Sequence, residues 1–404
     1  MNKSNFKPAF EFILDKMSLQ INVRCYYVRE QKKGAYMKSL PRIPSTMKAL
    51  LAYGGYDYRY MDIAVPQINE DEILIKVEDC GICAGDTKAY HGAEVYWGNG
   101  KDVKPFMDGP VVAGHEFIGT VAAIGDNAAR KWGLELGDRA IAEQIVPCGE
   151  CKFCKEGNWW MCQHQHIHGH QKIVAEGGMA QYMKYTVQDL VHKVPKSIPA
   201  RNAALIEPLA CAVHTVERAG IHFNDVVVVA GMGPIGLCDL QLAKLKNPKL
   251  LIAVDAKDSR LEAARQLGAD VCLNPLKCNA ADEVRKLSDG YGCDVYINVT
   301  GHPSGCVQGL DMIRKLGTFV EFGVFGSDTT VNWSVIGDRK EIDIHGAHIG
   351  GQHGYEVAIS MLAKGMIQAD KIVTHEIPLS DWKRAFDLAY SGEQSIKVVL
   401  NPDL

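Results

Sequence analysis

Four cysteines lie close together in one short stretch, with the spacing C-x2-C-x2-C-x7-C. They are Cys148, Cys151, Cys154 and Cys162. Four thiolates at this spacing can surround one tetrahedral zinc ion and leave no coordination position for a substrate. Chance rarely places four unligated thiols in so short a loop. The tetrad therefore predicts a structural zinc site that ties down the loop around it.

A second kind of zinc site, a catalytic one, needs about three protein ligands and one exchangeable position. Three separate segments offer residue types that could supply them: Cys80, Cys83 and Asp86 in DCGICAGDTKAYHG; His115 and Glu116 in GHEFIGTV; Glu207, Cys211 and His214 in LIEPLACAVH. Each of these residues, taken singly, is more often packed or solvated than bound to a metal. Spacing alone does not choose among them.

A glycine motif after four consecutive valines offers a site for a dinucleotide. Its residues are Gly231, Met232, Gly233, Pro234, Ile235 and Gly236. The first glycine allows a tight turn, the second allows a pyrophosphate to approach the backbone, and the third allows close packing of helix on strand. Asp255 ends the next predicted strand, 19 residues after Gly236. Its carboxylate would accept hydrogen bonds from a ribose diol and repel a 2′-phosphate, so the motif favours NAD over NADP. The alternative is a tight turn without a ligand.

Composition limits the classes of protein to consider. A chain of 404 residues favours more than one domain, and 47% apolar with 23% charged residues is typical of a globular protein. The net charge of −4 gives no indication of a nucleic-acid partner. The longest apolar run, around residues 226–237, is broken by glycine and proline and is too short to span a bilayer. Clustering of cysteines in so long a chain indicates metal binding, and we expect a reducing, cytoplasmic setting.

The sequence around these residues divides into two regions with different predicted secondary structure. Residues 47–125 suggest strands and turns, and Ile73, Ile75 and Val77 alternate with polar residues as in a half-buried strand. From about residue 205 apolar strands alternate with helices, which predicts an α/β fold with a parallel sheet covered on both faces. Residues 345–404 have mixed patterning and could rejoin the first domain. Residues 1–46 carry nine Lys or Arg against three acids without a signal-peptide pattern, and we expect a poorly ordered extension.

Taken together, the glycine motif, the tetrad, GHEFIGTV and GICAGD resemble the zinc-dependent medium-chain dehydrogenases, in the order typical of that family. IEPLACAVH is similar to the polyol, sorbitol-type branch, and GHQKIVAEGGMAQYMKY to the erythritol and threitol dehydrogenases within it. The resemblance implies a GroES-like β-barrel catalytic domain over 47–205 and 345–404, with a Rossmann NAD domain over 206–344. It also implies an active-site cleft between them and a homo-oligomer, a dimer or tetramer.

The resemblance also implies roles for individual residues. Cys83, His115, Glu116 and Glu207 match the catalytic zinc ligands, Glu207 directly or through water. Asp86 matches the acid that orients the histidine ligand, Asp255 and the glycines match the NAD site, and Arg260 could flank the adenosine ribose. The implied reaction moves a hydride between a polyol and NAD and gives a ketose, with zinc acting on the hydroxyl as a Lewis acid. The alternatives are a dehydrogenase for threonine or a secondary alcohol, and a non-catalytic protein that binds zinc and a nucleotide.

Two positions depart from the family pattern. Gly85 stands where a serine or threonine usually relays a proton, and Lys88 stands where many relatives carry histidine. Thr87, Tyr90 and His91 are near in sequence, and a water chain or a second substrate hydroxyl could also serve. The sequence leaves the proton route open.

A run of histidines follows the tetrad, at His164, His166, His168 and His170. In an extended chain alternate residues point the same way, so these side chains could share one face. By the resemblance this segment heads toward the substrate cleft. A solvated loop, contact of His166 or His168 with polyol hydroxyls, and a further metal site are the three possibilities. Because both predicted zincs have better ligands, we expect the metal to lie beside the run rather than within it.

Overall fold

The computed structural model describes residues 38–39 and 42–404. Most of the predicted N-terminal extension, residues 1–46, therefore lies outside the described residues. The first long strand begins at Thr46, next to the predicted start at Met47.

Antiparallel strands dominate the chain up to about residue 205. They are β1 (Lys38–Ser39), β2 (Thr46–Gly54), β3 (Asp57–Ala64), β4 (Ile73–Gly81), β5 (Val111–Val112), β6 (Glu116–Ile124), β7 (Arg139–Ala142), β8 (Ile145–Val146), β9 (His166–Ile167), β10 (Tyr182–Tyr185) and β11 (Val191–Val194). The helices are α1 (Ala84–Tyr90), α2 (Glu94–Trp97), α3 (Asp126–Trp132), α4 (Lys152–Lys155) and α5 (Ala200–Ala203), with a 3₁₀ turn at Trp159–Met161.

The following region alternates strands with helices. Its strands are β12 (Val226–Ala230), β13 (Leu250–Val254), β14 (Val271–Leu273), β15 (Cys293–Asn298), β16 (Ile313–Glu321) and β17 (Asp343–Gly346). Its helices are α6 (Ile206–Ala219), α7 (Pro234–Leu245), α8 (Asp258–Gln266), α9 (Ala280–Leu287) and α10 (Pro303–Met312), with short 3₁₀ and π turns at Trp333–Val335 and Ile336–Lys340. The strands form one parallel sheet in the order β14-β13-β12-β15-β16-β17. This arrangement confirms the predicted α/β class.

The C-terminal stretch contains α11 (Gly354–Ala363), β18 (Val373–Pro378), α12 (Trp382–Ser391) and β19 (Lys397–Asn401), with 3₁₀ turns at Ala369–Lys371 and Leu379–Asp381. β18 and β19 do not extend the parallel sheet. They join the eight-stranded first sheet, whose main path is β11-β7-β6-β4-β19-β18. Leu400 of β19 pairs with Cys80 of β4, so the end of the chain lies directly beside the first candidate ligands.

β4 is more deeply buried than its alternating pattern predicts. Leu74 is buried along with Ile73, Ile75 and Val77. β4 pairs with β6 along one edge and with β10 and β19 along the other. A strand in the middle of a sheet that is covered on both faces buries both sets of side chains, which alternation alone does not reveal.

Among the described residues, every helix is too short or too polar to cross a membrane.

Candidate active site

Three of the predicted ligands meet at one point. The ligand atoms of Cys83, His115 and Glu116 all lie within 4.8 Å of one another. Strand pairing explains the meeting, because β4 ends at Gly81 and Gly81 lies opposite Glu116 at the start of β6. Cys83 is then the N-cap of α1. Two segments that are more than 30 residues apart in sequence are thus brought together by one antiparallel ladder.

Asp86 connects two of these ligands. Its Oδ2 accepts a hydrogen bond from the backbone N–H of Cys83 at 2.8 Å, and its Oδ1 lies 3.6 Å from Nδ1 of His115. Burial lowers the pKa of His115, but the charges of Asp86 and Cys83 outweigh burial and leave the pKa well above its ordinary value. Such a concentration of negative charge around an imidazole suits a divalent cation.

Glu116 is held by a lysine that the sequence analysis did not identify. Lys397 and Glu116 are each 2% exposed, and Nζ of Lys397 forms an ion pair with Oε2 of Glu116. The same ammonium donates to the carbonyl of Ile82 at 3.0 Å. Burial lowers the pKa of Lys397, but Glu116 reverses the direction and the net pKa is raised. A charged residue inside the apolar run IKVVL was the available signal, since lysine is almost never buried unless paired.

Glu207 lies near this cluster without joining it. It occupies the first turn of α6, is buried, and accepts a hydrogen bond from Sγ of Cys211 at 3.3 Å. Burial, followed by the charge of Glu116, raises the pKa of Glu207 to about 7. The structure therefore assembles three of the four predicted ligands. Of the other candidates, His214 packs its ring against Trp160 and is not among the residues that meet at the cluster.

The cysteine tetrad has the geometry of a second metal centre. All four Sγ atoms lie within 4.8 Å of one another. Sγ of Cys154 is 3.6 Å from Sγ of Cys151 and 4.0 Å from Sγ of Cys148, and Cys151 is 3.9 Å from Cys162. A tetrahedron with zinc–sulfur bonds of ~2.3 Å has edges of about 3.8 Å. The spacing fits four thiolates around zinc, and it is far too long for disulfide bonds.

The glycine motif forms a tight turn, as predicted. Gly231 has φ +97°, and a Cβ on Gly236 would overlap the carbonyl oxygen of Gly231. A Cβ on Gly233 would meet nothing within 4 Å, so this glycine leaves the cleft open above the start of α7. Pro234 is the first residue of that helix. The first and third glycines serve the fold, and the second leaves space for a ligand.

Asp255 is fixed at the end of β13. Its two carboxylate oxygens accept backbone hydrogen bonds from Met232 and Lys257, both at 2.7 Å, and Arg260 lies 3.9 Å away. A cleft of about 630 Å³ runs from Asp255, Arg260, Gly233 and Ile235 to Cys83 and Glu116. The nucleotide motif and the metal cluster therefore open into the same cleft.

The histidine run does not share one face. Only His166 and Ile167 are in a strand, and the chain then turns. His168 is buried, with its ring nitrogens 2.9 Å from the carbonyl oxygen of Glu176 and 2.7 Å from Oδ1 of Asp189. Because both ring nitrogens are engaged within the protein, His168 has no nitrogen left for a polyol hydroxyl, and that possibility no longer applies to this residue. In the part of the chain that the structure describes, no residue of the run belongs to a metal cluster.

His170 is the residue of the run that reaches the active site. Its ring centroid lies 5.5 Å from that of His115, and its Nδ1 is 3.0 Å from the carbonyl oxygen of His168. Burial, together with the charge of His115, lowers the pKa of His170 to about 4. The ring is therefore neutral near pH 7.

Comparison with known proteins identifies both halves of this arrangement. The model of the alcohol dehydrogenase GroES-like domain matches residues 69–196, and that of zinc-binding dehydrogenases matches residues 234–364. The chain is 47% identical to an erythritol/L-threitol dehydrogenase of Mycolicibacterium smegmatis, across 89% of this chain and 99% of that protein. It is 34% identical to a D-arabitol-phosphate dehydrogenase of Enterococcus avium, across 86% and 96%.

A solved structure has the same architecture. It is a chain of Sinorhizobium meliloti 1021 assigned to the zinc-binding dehydrogenases, with NADP bound, and it aligns with a TM-score of 0.78 at 26% identity. The match covers 89% of this chain and 100% of that chain. The cleft between the metal cluster and the glycine motif therefore lies in a framework that holds a nicotinamide cofactor in that protein.

Proposed function

This chain belongs to the zinc-binding dehydrogenase family, and from that premise we propose that it oxidises a small polyol to a ketose with NAD. One observation carries the proposal. Cys83, His115 and Glu116 converge at one end of the cleft whose other end holds the glycine motif and Asp255.

The residues fit both groups that this chemistry requires. A thiolate, an imidazole and a carboxylate within 4.8 Å are ligands that zinc accepts, and the tetrad matches a closed structural site. When bound, zinc would lower the pKa of a nearby substrate hydroxyl and NAD would accept a hydride. In the overall reaction a secondary alcohol and NAD⁺ give a ketone, NADH and a proton. The protein must therefore orient the alcohol and let one proton leave.

The surrounding residues orient the ligands. Asp86 accepts a hydrogen bond from the backbone of Cys83 and lies close to His115. Lys397 holds Glu116 through an ion pair. Partners of this kind set the direction and basicity of metal ligands. Glu207, which is buried near the cluster, would influence the ligands through its charge, at longer range.

Substrate class follows from ligand chemistry and from the relatives. A carboxylate in the ligand set makes the site harder, which suits an oxygen-rich substrate, and a vicinal diol could offer two oxygens. The relatives in M. smegmatis and E. avium are named for erythritol, L-threitol and D-arabitol phosphate. These names support a polyol of about four or five carbons, which we propose as the substrate class.

A steady-state screen tests the proposal. Polyols of four to six carbons, D-arabitol phosphate, L-threonine and simple secondary alcohols would each be offered with NAD and with NADP, beside metal analysis. We expect turnover of a free polyol with NAD and about two zinc ions per chain. Turnover of threonine alone, or zinc-replete protein that reduces NAD with none of these substrates, would refute the proposal. The second outcome would favour a non-catalytic protein that binds zinc and a nucleotide.

We also propose a homo-oligomer that works in a reducing compartment such as the cytoplasm. β17 is the edge strand of the parallel sheet, and its Ile344 is exposed, so a second copy could pair there. The cysteines that the structure describes are free thiols, which suits a reducing compartment. Light scattering at several concentrations would test the oligomer, and a monomer at every concentration would contradict it.

A further inference from the structure

The helix that follows Cys83 offers no free hydroxyl to the metal cluster. Gly85 has no side chain, and Oγ1 of Thr87 donates to a main-chain carbonyl one turn back at 2.9 Å. Lys88 extends the other way, and its Nζ donates to a carbonyl in the nucleotide domain at 3.2 Å. A substrate hydroxyl at the cluster would need another group to receive its proton.

The two aromatic residues next in the sequence also face elsewhere. The ring of Tyr90 packs against Tyr58 and Phe386, with centroids 5.3 and 5.8 Å away. The ring of His91 stacks on Tyr390 at 4.1 Å, and its Nδ1 lies 2.7 Å from a main-chain carbonyl oxygen. Neither of these residues is aimed at the cluster.

A hydroxyl arrives from a different segment. Oη of Tyr96 lies 2.7 Å from the point where a Cβ on Gly85 would stand, and Sγ of Cys83 lies 3.7 Å from the same point. The phenol therefore fills the space of an absent side chain at position 85, beside the thiol. This position beside the thiol of Cys83 puts the phenol oxygen within reach of a ligand at the metal cluster.

Both the backbone and the ring of Tyr96 are held in place. The main-chain carbonyl of Tyr96 accepts hydrogen bonds from the N–H groups of Phe106 at 2.9 Å and Met107 at 2.8 Å. Its ring stacks on His170 with centroids 5.9 Å apart, and His170 in turn faces His115. The end of the histidine run thus supports the phenol against the metal cluster.

A phenol is ordinarily neutral near pH 7, and burial of Tyr96 raises its pKa further. A phenol in this state donates and accepts hydrogen bonds but does not act as a free base near pH 7. The side chain is only partly buried, so water can reach its neighbourhood.

We propose that Tyr96 is a catalytic residue that hydrogen-bonds the reacting hydroxyl of the substrate, in place of a side chain at position 85. The substrate proton passes to Oη of Tyr96 as the phenol's own proton passes to water. The phenol is unchanged, and one proton reaches the solvent for each hydride transferred. This inference rests on the proposed polyol oxidation.

Two single substitutions remove the hydroxyl from this place by different means. Y96F deletes the oxygen and keeps the ring. G85A adds a Cβ 2.7 Å from Oη, which must displace the hydroxyl. We expect each to lower kcat with the preferred polyol on the order of 100-fold, the lower end of what a positioned proton-transfer group contributes. Zinc content and NADH affinity should stay at the wild-type level.

Two double variants separate the hydroxyl from packing. G85S/Y96F supplies a new hydroxyl at position 85, and there the added Cβ is 3.7 Å from Cζ of residue 96, an ordinary contact. G85A/Y96F is the matched control, with the same Cβ and no hydroxyl. We expect G85S/Y96F to recover at least tenfold in kcat over Y96F, and G85A/Y96F to recover nothing.

Binding gives a readout that does not depend on turnover. The polyol can be titrated into the enzyme–NADH complex, where no hydride can move, and followed by NADH fluorescence. Loss of one hydrogen bond should weaken polyol binding by about tenfold in Y96F and G85A/Y96F, with recovery in G85S/Y96F.

The outcomes are distinct for the two proposals. If the wild type is active and Y96F has unchanged kcat and polyol affinity, the role of Tyr96 is overturned but the proposed polyol oxidation is not. Equal recovery in G85A/Y96F and G85S/Y96F would do the same, because packing would then explain the effect. A zinc-replete wild type that oxidises no polyol would overturn the proposed function and this inference with it.

Discussion

The two groups of candidate metal ligands in this chain are built in opposite ways. The tetrad is local, with all four ligands between Cys148 and Cys162, in a loop that has little secondary structure. The cluster of Cys83, His115 and Glu116 is assembled from distant segments by a strand ladder and is held by a lysine from the end of the chain. The first cluster is a property of a short peptide, whereas the second exists only when the whole fold is formed.

This difference has a consequence for energetics. A local cluster can stabilise a loop that cannot bury enough apolar surface, because metal binding contributes directly to folding. A distributed cluster requires the fold to bring unfavourable groups together, including a buried carboxylate and a buried ammonium. Changes in the first should act mainly on stability, and changes in the second mainly on activity.

The largest effect on activity is expected for Cys83→Ser. Loss of the thiolate should remove one of two zinc ions and lower kcat/KM by at least about 10³-fold, since metal charge contributes several kcal/mol to the transition state. Metal analysis, steady-state kinetics and a thermal melt would check this, and the melting temperature should change little. A variant that keeps both zinc ions and full turnover would break the assignment of the catalytic ligands.

The corresponding substitution in the tetrad is Cys154→Ser. Here we expect loss of the other zinc ion and a lower free energy of unfolding by several kcal/mol, because the loop loses its main source of stability. Urea unfolding and metal analysis would measure both. Cys272→Ser, in a half-buried thiol outside both clusters, is the matched control. Equal stability of the Cys154 and Cys272 variants would contradict a structural metal.

The ion pair between Lys397 and Glu116 provides a test of the distributed cluster. Lys397→Met leaves Glu116 buried without its cation, which should cost about 3–5 kcal/mol of unfolding free energy in zinc-depleted protein. Zinc at the cluster would supply positive charge to the same carboxylate, so the cost should be smaller in zinc-loaded protein. Lys397→Arg, which keeps the positive charge, should lower the unfolding free energy by less than Lys397→Met does. A cost that does not depend on zinc would show that Glu116 does not face the metal.

Cofactor choice should depend on a single carboxylate. Asp255→Ser removes the group that would repel a 2′-phosphate, and we expect the ratio of kcat/KM for NADP over NAD to rise by at least about tenfold. The NADP bound to the relative from S. meliloti makes the direct comparison necessary. Wild-type preference for NADP would contradict the prediction from Asp255.

The smallest effect concerns His168, in the segment that follows the tetrad. Burial lowers the pKa of His168, but Asp189 reverses the direction, so the net folded pKa is raised above the ordinary value of about 6.5. The stabilisation from this pair should be complete below about pH 6.5 and be lost as the pH rises through the raised folded pKa. Unfolding free energies of wild type and Asp189→Asn, measured from pH 6 to 9, should converge at the high end. A constant difference would rule out a titrating His168.

The sequence determined the local features of this protein. The tetrad, the glycine turn from Gly231 to Gly236, and the alternation of strands and helices all depend on residues close in the chain, where spacing alone specifies geometry. Cys83, His115 and Glu116 lie in motifs that resemble those of a known family, so these ligands were also predictable from the sequence. In each of these cases the interaction is short in range along the sequence or is carried by a recognisable motif.

The partners of those residues depend on long-range packing. Lys397 meets Glu116, Tyr96 meets Gly85, and Asp189 engages His168 because strand pairing and loop packing bring distant residues into contact. The structure also left Glu207 outside the ligand trio and turned His168 away from the cleft. No period in the sequence encodes such contacts, since burial and pairing are set by the sum of the packing across the whole chain.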